Sequence, residues 1–441
     1  MGKGYWTKDE MKELQLKFSQ MTPVDIAEYF NDFNKEQRVI ASTILDKSTL
    51  AEVFAEFSLE KKQELIMTLT QPEITALLLE MESDDLVDAI QELPSNMVSK
   101  LINNVDKDRR DMINQLLNFP KESVGSLMSV EYVVIHEDDT RSKVIEKIRN
   151  SDAGYEHLTA VYVLEATRKL IGYVYVADLI RSEDENIKDL INYDVVSVET
   201  MTDQEEAARY FNKYHFLALP VTDSENRLVG IITADDIFEV IADEIHEDYT
   251  LMQGLQITKD GYLDLTPWRL AKQRVFWILF LMISATFTGR IIKSYDALLS
   301  SSVILAAYIP MLMDSGGNSG SQSSTIVIRA LALDEIQTKD FLKVAFKEAS
   351  VGMIVGFIVA IVNFGRIIFL ERTDTAIAIA VSITLFCTIV ISKLIGGLLP
   401  LLAKVTNQDP AVMASPLITT IVDAISLIVY FAIASNMLQI Y

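Results

Sequence analysis

Long apolar runs occupy the second half of the chain, and short amphipathic segments occupy the first half. From about residue 275 the apolar runs reach the ~20 residues that a bilayer-spanning helix needs. Short connections separate five such runs, so the pattern predicts one bundle of five membrane-spanning helices. The predicted spans are about 273–293, 302–329, 346–370, 375–403 and 411–438.

Residues 15–118 show apolar positions at helical spacing, in short stretches that Pro, Asp or Ser separate. Examples are PVDIAEYFNDF, LAEVFAEFS and DDLVDAIQELP. No heptad persists along them, so the pattern favours a stacked array of short helices over a coiled coil.

Residues 127–246 show a different pattern, with apolar residues alternating as in strands. The pattern forms two copies of a unit with the order strand, helix, strand, strand, helix. The segment GYVYVADLI in the first copy matches GIITADDIF in the second, with an offset of 58 residues. A turn at 225–227 marks the hairpin of the second copy. The pattern therefore predicts a tandem α/β pair.

Charge divides the 441-residue chain at the same place as hydropathy. Residues 1–250 carry 25 basic and 50 acidic side chains, whereas residues 251–441 carry 14 basic and 12 acidic ones. This division excludes a single soluble enzyme domain, and the acidic half would repel nucleic acid. The single cysteine, Cys387, allows no disulfide within the chain, and the first ten residues lack the apolar segment of a signal peptide.

Basic residues near the ends of the spans predict the orientation in the membrane. Arg269, Lys272 and Arg274 precede the first span, and further lysines lie between the second and third spans and after the fourth. These positions fall on one side if five spans are correct. We therefore expect a multi-pass protein of the cell (inner) membrane, with its acidic half in the cytoplasm.

The second span is interrupted by polar residues and glycines, from Asp314 to Thr325. Such a stretch cannot face lipid, because unsatisfied polar groups are costly there. Asp314, Asn318 and Gln322 recur every four residues, which favours a polar face along a water-filled path. The alternative is a close contact between helices through the small residues, and the glycines also permit local unwinding.

Asp423 lies in the middle of the fifth span, where a carboxylate is costly and indicates a functional site. Thr419 and Thr420 precede it by four and three residues and can share its face. Lys393 in the fourth span is the candidate for an ionic partner. Oxygen ligands without His or Cys suit a hard cation, and Mg²⁺ would pass as a hydrated ion that few carboxylates hold.

Acidic residues also crowd the helix that follows the second α/β copy. Positions 236, 239, 243 and 247 place four carboxylates near one helix face, where like charges destabilise each other. This arrangement indicates a bound counter-ion, with a merely solvated acidic surface as the alternative.

The two α/β copies resemble the cystathionine-β-synthase-type (CBS) regulatory module. In that module a Thr/Ser-x-x-Asp step often holds an adenosine nucleotide, with the Asp on the ribose. Thr233 and Asp236 match this step in the second copy. The first copy has Tyr175 before Asp178, which departs from the pattern. The resemblance implies a possible ATP site, and a purely structural pair remains the alternative.

The full chain resembles the MgtE-type magnesium channels and transporters. The array carries Met-x-x-Asp-Asp-x-x-Asp from Met81 to Asp88, and Ser123 to Met128 resemble the entry to the CBS pair. The membrane half carries Gly-Gly-Asn-Ser-Gly-Ser-Gln at 316–322, Asp409-Pro410-Ala411 and Thr-Thr-x-x-Asp at 419–423. One departure is Ser426, where the family usually has Gly.

The resemblance implies a multidomain fold with four parts. These are an acidic N-terminal α-helical superhelical array (1–126), an α/β tandem CBS pair (127–246), a connecting plug helix (247–268) and an all-α five-span pore domain (269–441). It also implies a homodimer whose pore lies between the second and fifth spans. The implied pore residues are Asp423, Asn318, Thr419, Thr420 and Asp409.

The resemblance further implies a gate that cytosolic Mg²⁺ closes by bridging acidic side chains of the array and the CBS pair. The candidate sensor ligands are Glu52, Asp84, Asp88, Asp235, Asp236, Glu239, Asp243, Glu244 and Glu247. We therefore predict a Mg²⁺-selective channel-like transporter rather than an enzyme. The alternatives are a broader divalent transporter for Co²⁺ or Mn²⁺, and a non-conducting membrane sensor that reads nucleotide through the CBS pair.

Overall fold

The computed structural model describes residues 6–94, 97–98, 101, 105, 107–151, 153–257, 262, 265–413 and 415–438. It divides into two compact units, Met1–Ala242 and Asp243–Tyr441.

The first unit begins with an array of short helices, as the amphipathic pattern predicts. Polar side chains start several of them: Thr7, Thr22 and Asn34 each form a capping box that satisfies free backbone N–H groups. Phe30 is fully buried in the array core. The helices are α1 (Lys8–Phe18), α2 (Pro23–Tyr29), α3 (Lys35–Ser42), α4 (Lys47–Ala55), α5 (Leu59–Thr68), α6 (Gln71–Glu80), α7 (Ser83–Glu92) and α8 (Lys107–Leu116).

The α/β pair follows in the same unit and confirms the predicted repeat. Each copy has a three-stranded sheet, with the first two strands parallel and the last two antiparallel. The elements are α9 (Val124–Leu127), β1 (Val134–Ile135), α10 (Arg141–Arg149), β2 (Ala160–Leu164), β3 (Leu170–Tyr175), α11 (Val176–Arg181), β4 (Val198–Glu199), α12 (Gln204–Tyr214), β5 (Ala218–Thr222), β6 (Leu228–Thr233) and α13 (Ala234–Met252).

The hairpin registers of the two copies are equivalent. Ala160 pairs with Tyr175 in the first copy, and Ala218 pairs with Thr233 in the second, so both strands keep the offset of 58 residues. Backbone hydrogen bonds between Ser129 and Ile231 join the second sheet to the chain that enters the first. Tyr175 therefore occupies the position that corresponds to Thr233.

The connection to the membrane half differs from the expected helix over 247–268. Helix α13 ends at Met252, and the next helix begins at Pro267, with residues 253–257 outside any helix. Gly254 has a φ of 65°, a left-handed conformation that favours glycine, and a side chain there would collide with the Trp277 indole. Residues 258–261 and 263–264 of this predicted helix lie outside the described residues.

The second unit is a bundle of five long helices and one short one among the described residues. They are α14 (Pro267–Ser294), α15 (Asp296–Ser301), α16 (Ile309–Ala332), α17 (Phe341–Arg366), α18 (Thr375–Val405) and α19 (Ser415–Leu438), with a π-helical turn at Ile367–Glu371.

Four helices among the described residues are long and apolar enough to cross a membrane, within Pro267–Ser294, Thr338–Glu371, Thr375–Val405 and Pro416–Met437. Helix α16 has 24 residues and matches the second predicted span, but its polar stretch sets it apart from these four. It is one continuous α-helix through Gly316, Gly317 and Gly320, so the glycines cause no unwinding.

Candidate ion pathway and acidic cluster

Helix α16 has a buried face and a polar face. Gly316, Gly317 and Gly320 are buried against the neighbouring helices. Asp314 and Asn318 are exposed on the other side within one chain, and the Asn318 side-chain amide donates a hydrogen bond to Asp314 Oδ1 at 3.1 Å. The sequence left two alternatives for this helix, a close packing contact through its glycines and an exposed polar face. Both are present, on opposite sides of α16.

The glycine face brings α16 against α19 at the level of Asp423. A side chain at Gly317 would lie 2.8 Å from Thr419 Cγ2, and one at Gly316 would lie 2.8 Å from Val422 Cγ1. Asp423 follows Val422 and interacts electrostatically with Asp314 of α16. The two intramembrane carboxylates predicted from sequence thus approach each other.

Asp423 is half-buried, and its Oδ1 atom is buried without a hydrogen-bond partner among the described residues. A buried polar oxygen without a partner carries a free-energy cost of about 1–3 kcal/mol, which a bound hydrated cation would remove. The arrangement can therefore attract a divalent ion through its first hydration shell.

Of the other predicted pore residues, Thr420 lies on α19 and Asp409 lies before the start of this helix. Thr420 Oγ1 donates to the Pro416 carbonyl at 3.1 Å, so its hydroxyl proton is used within its own helix. Asp409 is exposed and accepts a hydrogen bond from the Ala411 N–H at 2.7 Å, which starts the turn Pro410–Met413. Ser426 is buried, with its Oγ 3.2 Å from the Cβ position of Gly316.

Lys393, which the sequence left open as an ionic partner of Asp423, bonds to α16. Its Nζ donates to the Ser319 carbonyl at 3.5 Å and to Ser323 Oγ at 3.4 Å. Ser323 Oγ in turn donates to Glu348 Oε2 at 2.6 Å, on α17. This buried chain of polar groups joins three helices, because each group has a partner on the next helix.

A cluster of carboxylates forms between the array and the second α/β copy, within the first unit. Burial, with the neighbouring carboxylates of Asp236 and Asp85, raises the pKa of Asp84 well above its usual range. Desolvation by the surrounding groups and the charge of Asp236 raise the pKa of Asp85 to about 7, although its side chain is partly exposed to solvent. Burial raises the pKa of Asp236 to about 6, despite hydrogen bonds from Thr233 that lower it. The cluster thus disfavours full ionisation unless a cation compensates it.

The basic side chain of Lys62 lies beside this cluster. Lys62 is buried, its Nζ lies 4.0 Å from Asp88 Oδ2, and its charge acts on Asp85 in the direction that lowers the pKa. Sequence reasoning missed Asp85 as a member of the cluster, and it missed Glu56, whose charge also reaches Asp85.

The remaining predicted sensor residues have varied positions. Glu52 is exposed and accepts a hydrogen bond from Ser48 at 3.5 Å, in its own helix. Asp235 and Glu239 act electrostatically on Asp236. The later carboxylates, Asp243, Glu244 and Glu247, lie on α13 beyond the boundary of the first unit.

The Thr-x-x-Asp step is formed as the CBS resemblance implies, but its groups bond to each other. The Thr233 N–H and hydroxyl both donate to Asp236 Oδ2, at 3.1 and 2.6 Å. In the first copy Tyr175 is exposed, and Asp178 Oδ1 lies 3.9 Å from Arg181 Nη1. A cavity of about 420 Å³ in this unit is lined by other residues, among them Tyr132, Arg168 and Arg227.

Comparison with known protein families shows the class of protein to which the chain belongs. The profile of MgtE, a divalent cation transporter family, matches residues 309–433. The MgtE intracellular N domain matches residues 21–122, and the CBS domain matches residues 124–185 and 187–243. A membrane protein that joins these three parts is a divalent cation transporter, a class without enzymatic activity.

Two curated relatives show to which family of this class the chain belongs. The chain is 30% identical to the magnesium transporter MgtE of Thermus thermophilus over 434 residues, which cover 98% of this chain and 96% of that protein. It is 28% identical to the magnesium transporter MgtE of Bacillus subtilis, over 97% of this chain and 94% of that protein. The chain therefore belongs to the MgtE family, which confirms the resemblance seen in the sequence.

One solved structure is similar to part of the chain. The cytosolic domain of the Mg²⁺ channel MgtE in complex with ATP is 32% identical, with a TM-score of 0.49, and the match covers 52% of this chain and 94% of that chain.

Proposed function

We propose that the chain is a Mg²⁺-selective, channel-like transporter of the cell (inner) membrane, which takes up Mg²⁺ down its electrochemical gradient. The observation that carries the proposal is the buried Oδ1 of Asp423, which has no hydrogen-bond partner among the described residues and lies beside the polar face of α16. Membership of a family whose relatives are named magnesium transporters supports Mg²⁺ as the substrate.

Asp423, Asn318, Thr419 and Thr420 would line the pore, with Asp409 at the turn before α19. Helix α16 then acts as a fifth span, and its exposed polar face borders water rather than lipid. A homodimer supplies a second copy of this face across the symmetry axis. Uptake requires no ATP hydrolysis, because a divalent ion gains about 4.6 kcal/mol for every 100 mV of inside-negative potential.

The proposed gate uses the acidic cluster in the cytoplasm. When cytosolic Mg²⁺ is abundant, it binds between Asp84, Asp88 and Asp236 and holds the array on the second α/β copy. When Mg²⁺ is scarce, the carboxylates ionise without compensation and repel one another. Separation of these elements then opens the pore through the segment that follows α13.

ATP is proposed only as a regulatory ligand of the second copy. It would have to displace the hydrogen bonds from Thr233 to Asp236 so that the carboxylate could hold a ribose. Titration of the purified protein with ATP, beside an Asp236→Asn variant, tests this part separately.

Mg²⁺ influx into liposomes that contain the purified protein tests the proposed function. We expect influx above that of protein-free liposomes, driven by an inside-negative potential. Competition by Mn²⁺, Co²⁺ and Ca²⁺ tests the selectivity. Absence of Mg²⁺ flux at every external and internal Mg²⁺ concentration would contradict the proposal and favour a non-conducting sensor.

A further inference from the structure

A second group of metal-binding side chains lies where the array meets the first α/β copy. Glu82 is the N-cap residue of α7 in the array. Glu156 and His157 lie in the turn that leads into β2 of the first copy. Both elements belong to the same compact unit, Met1–Ala242. The group therefore has one ligand in the array and two in the α/β pair.

The geometry brings one ligand atom of each residue within 4.8 Å of the others. His157 Nε2 lies 3.6 Å from Glu82 Oε2, and His157 Nδ1 lies 3.9 Å from Glu156 Oε1. Both distances exceed those of a normal hydrogen bond. Both carboxylates therefore lie beside the imidazole without a hydrogen bond to it at these distances.

His157 supplies an independent indication of a ligand. Its side chain is 1% exposed, and its Nδ1 atom, which faces Glu156, is buried without a hydrogen-bond partner among the described residues. A ring nitrogen left without a partner in this way is costly. Coordination of an ion by the histidine would remove that cost.

The backbone around the group also leaves room for the carboxylates. A Cβ atom at Gly154 would collide with Oε1 of Glu156 and with Oε1 of Glu82. Both carboxylates therefore converge beside Gly154.

We propose that Glu82, Glu156 and His157 bind a divalent transition-metal ion that ties the helical array to the first α/β copy. The neutral imidazole and two carboxylates balance the charge of such an ion. The nitrogen ligand favours Zn²⁺, Co²⁺ or Mn²⁺ over Mg²⁺, because Mg²⁺ prefers oxygen ligands alone. This site goes beyond the proposed Mg²⁺ uptake and differs from the oxygen-only cluster of Asp84 and Asp236.

Equilibrium dialysis of the purified full-length protein against micromolar Zn²⁺ or Mn²⁺ tests the proposal, with metal content measured by mass spectrometry. Millimolar Mg²⁺ is kept present to occupy the oxygen-only sites. We expect the wild type to retain one Zn²⁺ or Mn²⁺ per chain. Glu156→Gln and His157→Gln should lower the retained metal at least tenfold, whereas His136→Gln should retain it, because His136 is an exposed histidine of the same copy.

Circular dichroism and the thermal midpoint establish whether each variant folds. If His157→Gln does not fold, Glu156→Gln carries the test, because Glu156 lies in a turn and is only half-buried. Equal metal retention by Glu156→Gln and the wild type would overturn the proposal. A wild type that retains no metal would also overturn it, and would leave His157 in ion pairs with the two glutamates only. Neither outcome depends on Mg²⁺ flux.

Discussion

Gly320 and Gly396 pack backbone against backbone where α16 crosses α18. A side chain added at Gly396 would run into the carbonyl group of Gly320, a rigid obstacle rather than a flexible side-chain end. Close approach through small residues is the usual means by which membrane helices associate. The contact fixes α16, and with it the polar face that carries Asp314 and Asn318.

Gly396→Ala should therefore destabilise the membrane half and reduce Mg²⁺ flux. Overpacking of this kind costs about 1–3 kcal/mol, because the helices must move apart. Thermal unfolding in detergent should show a lower midpoint than the wild type. Gly289→Ala is the matched control, since a Cβ at Gly289 meets nothing within 4 Å. Equal midpoints for Gly396→Ala and Gly289→Ala would contradict the packing argument.

Because the carboxylates of the acidic cluster can bind either protons or Mg²⁺, we expect stabilisation by Mg²⁺ to depend on pH. Folding raises the pKa of Asp236 to about 6 and that of Asp85 to about 7, so the folded state favours the protonated carboxyls. Protonation of these two carboxyls therefore stabilises the folded state. This stabilisation is fully present below about pH 4 and is lost as the pH rises through the two pKa values. Mg²⁺ competes with the protons, so its stabilising effect should grow between pH about 5 and about 8.

Thermal midpoints with and without millimolar Mg²⁺, measured across that pH range, check this expectation. For each proton that Mg²⁺ displaces, its affinity should rise by about tenfold per pH unit. The double variant Asp84→Asn and Asp236→Asn should flatten the dependence. A Mg²⁺ effect that is constant with pH in the wild type would rule out the cluster as the main binding site.

Lys62 is expected to compete with Mg²⁺ for the cluster, because it is a buried cation beside Asp88. Lys62→Gln should raise the Mg²⁺ affinity of the soluble half and lower its stability without Mg²⁺. The expected size is about 1 kcal/mol or less, which is a severalfold change in affinity. Isothermal titration with Mg²⁺ measures it. Lys47→Gln removes the same charge at an exposed position and should change neither quantity; an equal effect of the two variants would point to net charge alone.

Residue spacing allowed much of this structure to be predicted. The offset of 58 residues between the two α/β copies fixed the equivalence of Tyr175 and Thr233, and the hairpin registers confirm it. The four-residue spacing of Asp314, Asn318 and Gln322 predicted one polar face, and these residues are exposed together on α16. Such patterns are local, because a helix or strand converts spacing directly into a shared face.

Contacts between distant residues could not be predicted in this way. Nothing in the sequence indicates that Lys393 bonds to Ser323, or that Glu82 lies beside His157. These pairs depend on how whole elements pack. The predicted connecting helix differs from the structure for a local reason. Gly254 adopts a left-handed conformation and ends the helical stretch. A glycine is a common signal for the end of a helix, and the sequence does contain it.

Mg²⁺ flux into liposomes, measured against the Mg²⁺ concentration on the side of the soluble half, tests the central claim most directly. For the wild type we expect high flux when that concentration is low and a steep decrease in the millimolar range. For Asp423→Ala we expect only the flux of protein-free liposomes at every concentration, with the folded protein unchanged by circular dichroism. Wild-type flux in Asp423→Ala would contradict the account.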